Sequence, residues 1–186
     1  MNNHETKIII AGFGGQGVVL AGTLIARACI YEGLNVTGMV SYGAEMRGGT
    51  ANSTVVISSG QIASPVVERP DIAIILNQPS LDKFEDKVVG DGLIILNSTL
   101  VERDVRRGDL EVVKIGATQA AQDLGNTRVA NVVALGAFAG KTKLLKKESL
   151  LRAVEEQFSQ KKGQLVEVNK KALEVGTQLA GQIPVS

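Results

Sequence analysis

Residues 12 to 17 read Gly-Phe-Gly-Gly-Gln-Gly, so Gly12, Gly14 and Gly17 satisfy G-x-G-x-x-G, and Gly15 adds a fourth glycine beside Gln16. Where such a loop joins a strand to a helix, the missing side chains let backbone amides approach a ligand. The free N–H groups and the positive end of the helix dipole then favour a phosphate or carboxylate. The same small residues also allow strand and helix to pack closely with no ligand, and the motif alone does not separate the two readings. A nicotinamide or flavin dinucleotide site adds an acidic residue about 20 positions on, which holds the ribose hydroxyls. Here that place is Thr37-Gly38-Met39-Val40, the first acid after it is Glu45, and no arginine stands ready for a 2′-phosphate. NAD and NADP are therefore disfavoured.

A second constellation follows at once: Ser41, Tyr42, Gly43, Ala44, Glu45, Met46, Arg47, Gly48, Gly49, Thr50, Ala51 and Asn52. Three glycines permit close backbone approach, Glu45 and Arg47 bring opposite charges, and Tyr42 an amphipathic ring. Placed after a second strand, this stretch is expected at the same carboxyl edge of a sheet as the glycine loop, where ligands of open α/β sheets bind. A solvated loop with an internal Glu–Arg pair is the competing reading.

Other chemistry-bearing residues are scarce. His4 is the single histidine and sits in the N-terminal arm, and Cys29 is the single cysteine. Neither an internal disulfide, a four-cysteine zinc site nor an iron–sulfur cluster follows from one thiol. No catalytic residue and no metal ligand is assigned.

The elements that must carry the two loops can be read from apolar patterning. Lys7 to Ala11 is a β-branched run, and Val18 to Tyr31 has helical apolar spacing that stops at Gly33. Asn35 to Val40 reads as a second strand, making one βαβ unit whose crossover calls for parallel pairing. Ser53 to Ser58, Asp71 to Leu76, Leu93 to Leu96 and Leu110 to Ile115 are further strands, with a short helix opening at Asn77-Gln78-Pro79-Ser80. From Thr118 onward the pattern is mostly helical. Leu150, Leu151, Val154 and Phe158 share one helical face, and Leu165, Val168, Ala172, Val175 and Leu179 form another stripe. Neither an internal repeat nor a dividing linker is evident. The expected fold is α/β and Rossmann-like, with a largely parallel sheet, flanking helices and a helical C-terminal part, in a single domain over 1–186.

The composition narrows the partners. Twenty Lys plus Arg against 19 Asp plus Glu argue against nucleic acid or a membrane surface, which need a basic field. The lack of a spanning apolar run, the polar start Met1 to Lys7 and the single cysteine point to a soluble, unprocessed, cytoplasmic chain.

Taken together, Gly12-Phe13-Gly14-Gly15-Gln16-Gly17-Val18-Val19 and the Ser41 to Asn52 stretch resemble the gamma subunit, or gamma domain, of the 2-oxoacid:ferredoxin (acceptor) oxidoreductases. Weaker agreement continues through Ser64-Pro65, Pro70-Asp71, Asn131 to Gly136, and Asn169, Ala172 and Gly176. The forms of both motifs look more like the 2-oxoglutarate branch than the pyruvate branch, although Ala44 stands where many relatives have proline. The resemblance implies an accessory chain of an enzyme that oxidatively decarboxylates a 2-oxoacid with coenzyme A, giving acyl-CoA, carbon dioxide and reduced ferredoxin. It implies thiamin diphosphate, Mg2+ and iron–sulfur clusters on other subunits, and as partners alpha and beta subunits, with or without a delta subunit. It also makes Gly12, Gly14, Gly15, Gln16, Gly17, Ser41, Tyr42, Gly43, Glu45, Met46, Arg47, Gly48 and Gly49 the expected ligand or subunit contacts. A stand-alone dinucleotide-binding or sensing module is the alternative, and a structural chain whose loops only pack is a third.

Two stretches imitate other sites. Gly90-Asp91-Gly92 has the opening of a thiamin diphosphate motif, but a strand follows where a helix is required, so a turn is expected. Gly136 to Thr142 imitates a phosphate-binding loop with the wrong spacing and the wrong preceding element.

Overall fold

Nine residues, three polar and then a continuously buried apolar run, Glu5–Phe13, form β1 at the middle of the sheet. It belongs to a computed structural model that describes residues 5–43, 50–160 and 163–182. The chain continues through α1 (Val18–Tyr31), β2 (Asn35–Tyr42), β3 (Thr50–Ser58), β4 (Ile72–Ile75), α2 (Gln78–Phe84), β5 (Leu93–Asn97), β6 (Glu111–Ile115), α3 (Ala117–Asp123), α4 (Ala130–Thr142), α5 (Lys147–Phe158) and α6 (Gly163–Gly181). The six strands lie in the order β2-β3-β1-β4-β5-β6. β1, β4, β5 and β6 pair in parallel, and β3 runs antiparallel to both β1 and β2. This is the Rossmann-like, largely parallel arrangement expected, with helices on the sheet and a helical C-terminal part.

The first βαβ unit differs from expectation in one respect. β1 and β2 point the same way but are not neighbours, because β3 lies between them. The connection 43–49 is far shorter than a parallel crossover needs, so the chain after β2 returns as an antiparallel partner and takes the place beside β1.

Apolar residues of α1, α3, α4, α5 and α6 cover one face of the sheet, among them the fully buried Leu24, Ile25, Leu135, Phe138 and Leu150. The other face is thinner. Ile9, Ala11, Ala73, Ile75, Ile94 and Leu96 are covered by Leu81 and Phe84 of α2 and by Val88, Val101 and Leu110 from irregular segments. One carboxylate organises that irregular cover. Glu85, 3% exposed, lies 2.7 Å from Arg103 Nη1 and accepts hydrogen bonds from the backbone amides of Arg106 and Arg107. Burial pushes its carboxyl up, but Arg103 and the two amides outweigh that and hold it below the ordinary glutamate range.

In α6 the buried face is Asn169, Ala172, Leu173, Gly176 and Ala180, offset by about one position from the stripe expected from Leu165 to Leu179. The reason is close packing. A Cβ at Gly176 would meet the Val133 carbonyl oxygen at 1.9 Å, and one at Gly136 the Leu173 carbonyl oxygen at 2.1 Å, so α4 and α6 touch backbone to backbone. The face that fits is therefore the one with the smallest residues. Gly136 to Thr142 lies inside α4 as part of this contact and forms no phosphate loop.

Candidate functional site: the carboxyl edge of the sheet

The chain leaves β1 toward α1 and β2 on one side and leaves β4 toward α2 and β5 on the other, so strand order reverses between β1 and β4. In open α/β sheets, the crevice outside the strand ends at such a point is where ligands bind. The glycine loop sits there. Gln16 N–H donates to the Phe13 carbonyl at 3.1 Å, while the Gln16 side-chain Oε1 accepts from Phe13 N at 2.7 Å and from Asn77 Nδ2 at 2.8 Å. One carboxamide thus ties the end of β1 to the end of β4. Asn77 Oδ1 in turn accepts from Ser80 N at 3.0 Å and caps α2, with Pro79 in the first turn as the sequence suggested.

The next strand repeats the device. Asn97, 1% exposed, donates through Nδ2 to the Leu76 carbonyl at 3.1 Å and to Thr118 Oγ1 at 2.9 Å, and accepts from Thr118 N at 3.1 Å. On the other flank Asn131 of α4, 2% exposed, donates to the Gly17 carbonyl at 3.0 Å. A Cβ on Gly17 would lie 2.4 Å from the Asn131 nitrogen, and Gly17 has φ +74°, so that position is closed to side chains on two counts. Asn131 Oδ1 is buried with no hydrogen-bond partner. These residues frame a cleft of about 250 Å³ whose lining includes Gly15, Gln16, Asn97, Thr118 and Arg128. The Arg128 guanidinium makes no ion pair with any described residue. Uncharged hydrogen-bonding groups, the N-terminal end of α1 and one free cation suit it to an anionic ligand or to a partner's carboxylate.

The described parts of the two sequence motifs come to the same sheet edge, and the described residues of the second do not line the cleft. Ala51 pairs with both Gly12 and Tyr42, so the ends of β1 and β2 are two inter-strand spacings apart, about 9.5 Å. Gly12 is part of β1, Gly14 and Gly15 border open space, and Gly15 and Gln16 line the cleft. Ser41, Tyr42 and Gly43 do not line it. Tyr42 is 70% exposed, and Gly43 N donates to the Thr50 carbonyl at 2.9 Å. Glu45, Met46, Arg47, Gly48 and Gly49 lie outside the described residues.

Sequence reading named none of Asn77, Asn97, Arg128 and Asn131 as a site residue, although Asn77 was read as opening a helix and Asn131 as part of the family resemblance. A signal for two of them was present: Ile-Ile-Leu-Asn occurs at 74–77 and again at 94–97, a polar amide closing a continuous apolar strand in each case. Asn131 carries no comparable local signal, because its partner is 114 positions away.

Several cofactor chemistries do not fit this chain. β1 has antiparallel β3 on one side and parallel β4 on the other, and β4 runs out through Ile75-Leu76-Asn77, so neither neighbour places a ribose-binding acid beside the glycine loop. Asp91 sits in a turn with φ +58°, its N–H bonded to the Asp109 carbonyl, immediately before β5. That is the turn expected, and it does not supply a thiamin diphosphate helix. Cys29 is fully buried, and burial, with Glu32 adding to it, pushes its thiol up to about 12. A thiol held neutral in this way is a core residue and unfit as a cluster ligand. Among the described residues no group of three or more histidine, cysteine or acidic side chains could hold a metal ion.

Residues 7–179 match the family model described as pyruvate ferredoxin/flavodoxin oxidoreductase. The ketoisovalerate oxidoreductase subunit VorA of Methanothermobacter thermautotrophicus is 38% identical over 95% of the chain, which spans only 36% of that relative's length. The 2-oxoglutarate synthase subunit KorC of Methanocaldococcus jannaschii is 37% identical over 83% of the chain and 86% of its own length. The solved gamma subunit of a keto/oxoacid ferredoxin oxidoreductase from Geobacter sulfurreducens superposes with a TM-score of 0.82 at 34% identity, over 96% of this chain and 99% of that one. With the family model covering nearly all of the sequence, the chain belongs to the pyruvate ferredoxin/flavodoxin oxidoreductase family.

Proposed function

We propose that the chain acts as the gamma subunit of a multi-subunit 2-oxoacid:ferredoxin oxidoreductase, accessory to alpha and beta subunits that hold thiamin diphosphate and Mg2+, with the iron–sulfur clusters also outside this chain. The observation that carries the reading is the end-to-end match to the Geobacter gamma subunit, in which almost nothing of either chain is left over. 2-Oxoglutarate is the favoured substrate of the complex. The KorC relative is matched over most of its length, whereas only about a third of VorA is. In this reading the assembled enzyme passes electrons to ferredoxin and acts in the cytoplasm. No helix among the described residues is long and apolar enough to cross a membrane.

Within the complex, the carboxyl edge of the sheet is the contact surface. The glycine loop and Arg128 present hydrogen-bond donors and a cation to a coenzyme A phosphate or a partner carboxylate, and Ser41, Tyr42 and Gly43 at the end of β2 extend that surface past β3. In the stretch that follows, outside the described residues, Arg47 has the planar fork that suits such a group.

Co-expression with the alpha and beta subunits tests this. The complex should reduce ferredoxin with 2-oxoglutarate and coenzyme A, and omission of this chain should abolish turnover. Arg47→Ala should cost roughly ten- to a hundredfold, the equivalent of one charge-assisted hydrogen bond. A raised coenzyme A KM with intact assembly assigns a ligand contact, and failed assembly assigns docking. A complex equally active without the chain overturns the subunit reading.

A further inference from the structure

The sheet ends in two edge strands, β2 and β6, and the two are finished differently. An unpaired edge offers its amides and carbonyls to any passing strand, and folded proteins blunt it with charge, proline or bulges. β6 is blunted in this way. Its five residues include Glu111 and Lys114, which pair with Lys141 and Asp104. β2 reads Asn-Val-Thr-Gly-Met-Val-Ser-Tyr, with neither a charge nor a proline, and its register with β3 runs from Asn35 to Tyr42 without a bulge.

Gly43 N–H donates to the Thr50 carbonyl, so by two-residue alternation the N–H and C=O groups of Val36, Gly38, Val40 and Tyr42 point away from β3. Among the described residues no strand pairs with them. The side chains are as bare as the backbone. Met39 is 49%, Val40 44% and Tyr42 70% exposed, and Ile30, at the end of α1 that leads into β2, is 64% exposed. These are four of the six large apolar side chains that are exposed among the described residues, so such surface is gathered at one edge rather than scattered.

We propose that β2 pairs with β2 of a second copy of the chain, antiparallel about a two-fold axis at Met39, which joins the two six-stranded sheets. Three features select a second copy. Antiparallel pairing of a strand with itself satisfies both edges at once. Centred on Met39, the outward-pointing groups match, with Val36 of one copy opposite Tyr42 of the other and Gly38 opposite Val40. The strand carries no charge and the whole chain a formal net charge of +1, so facing copies do not repel. The exposed parts of the four apolar side chains amount to about 400 Å² per copy. With the polar side chains and main chain of β2 they approach the roughly 600 Å² per partner at the lower end of specific interfaces. Because β6 is charged, pairing closes at two copies. The contact shares only Ser41 and Tyr42 with the surface proposed above, and it stands or fails without the subunit reading.

Light scattering on the full chain alone, at about 100 µM, should give twice the mass of one chain, with a Kd on the order of 10 µM. Val40→Lys introduces the charge that blunts natural edges and should raise Kd about tenfold or more, with the far-UV circular dichroism unchanged. Met39→Cys reads the register. Opposed residues at the axis lie about 4.5 Å apart between Cα atoms, within reach of a disulfide, so oxidised glutathione should link two copies covalently. Glu174→Cys, exposed on α6, should stay unlinked, and the buried Cys29 does not compete. A monomer at about 100 µM would leave the edge to a strand of another protein. That result, an unchanged Kd in Val40→Lys, or linking of Met39→Cys no greater than that of Glu174→Cys each overturns the proposal.

Discussion

A methyl group in place of the Gly176 hydrogen would lie 1.9 Å from the Val133 carbonyl oxygen, whereas at Gly14 it would meet nothing within 4 Å. The α4–α6 crossing and the loop after β1 are both glycine-rich, yet the residue serves opposite ends in them. At the crossing glycine removes a side chain so that two backbones can touch, and the space it leaves is filled. In the loop it removes a side chain and the space stays empty, which leaves backbone amides facing a cleft. Glycine content alone therefore says little about where a ligand binds. What distinguishes the regions is whether neighbouring atoms occupy the missing Cβ's place.

The largest effect is expected at the crossing. Gly176→Ala forces α4 and α6 apart and should cost about 3 kcal/mol or more, lowering Tm by about 6–12 °C in a chain of this size. A near-normal Tm would show that the helices can separate freely, and the contrast would be lost.

Gly17 stands between the extremes, lying in the loop yet pressed against Asn131. Gly17→Ala should cost about 2 kcal/mol, from the left-handed backbone and from displacement of the Asn131 amide. Combining it with Asn131→Ala should then cost less than the sum of the two single changes. Strict additivity would show that the two residues do not share one contact.

The smallest effect on stability belongs to Gly14→Ala. It should leave Tm unchanged within about half a kcal/mol of stability and still weaken assembly or the coenzyme A response of the reconstituted complex. Loss of stability on the scale of Gly176→Ala would put this loop in the packing class.

Much of the architecture was legible in residue order. β1, α1, β5 and α2 with its Asn77-Pro79 opening follow from apolar period and capping chemistry, both local properties. The paired glycine motifs resembled this family, which the family match and the Geobacter gamma subunit bear out. Partner choice was not legible. That β3 would enter between β1 and β2 depends on pairing across 40 or so positions, which no local pattern encodes. The buried face of α6 was misjudged because hydrophobicity favours Leu165 and Leu179, while the fit to α4 favours Ala172, Gly176 and Ala180.

The site divides along the same line. Gly12, Gly14, Gly15, Gln16 and Gly17 announce themselves because a loop's backbone freedom is written in its own residues. Gln16 reaching Asn77 across 61 positions, Asn97 reaching Thr118, and Asn131 reaching Gly17 exist only once the chain is folded. A carboxamide reads the same in sequence whether satisfied, capping a helix or waiting for a ligand. Which of these it is depends on what the rest of the chain brings within about 3 Å of it.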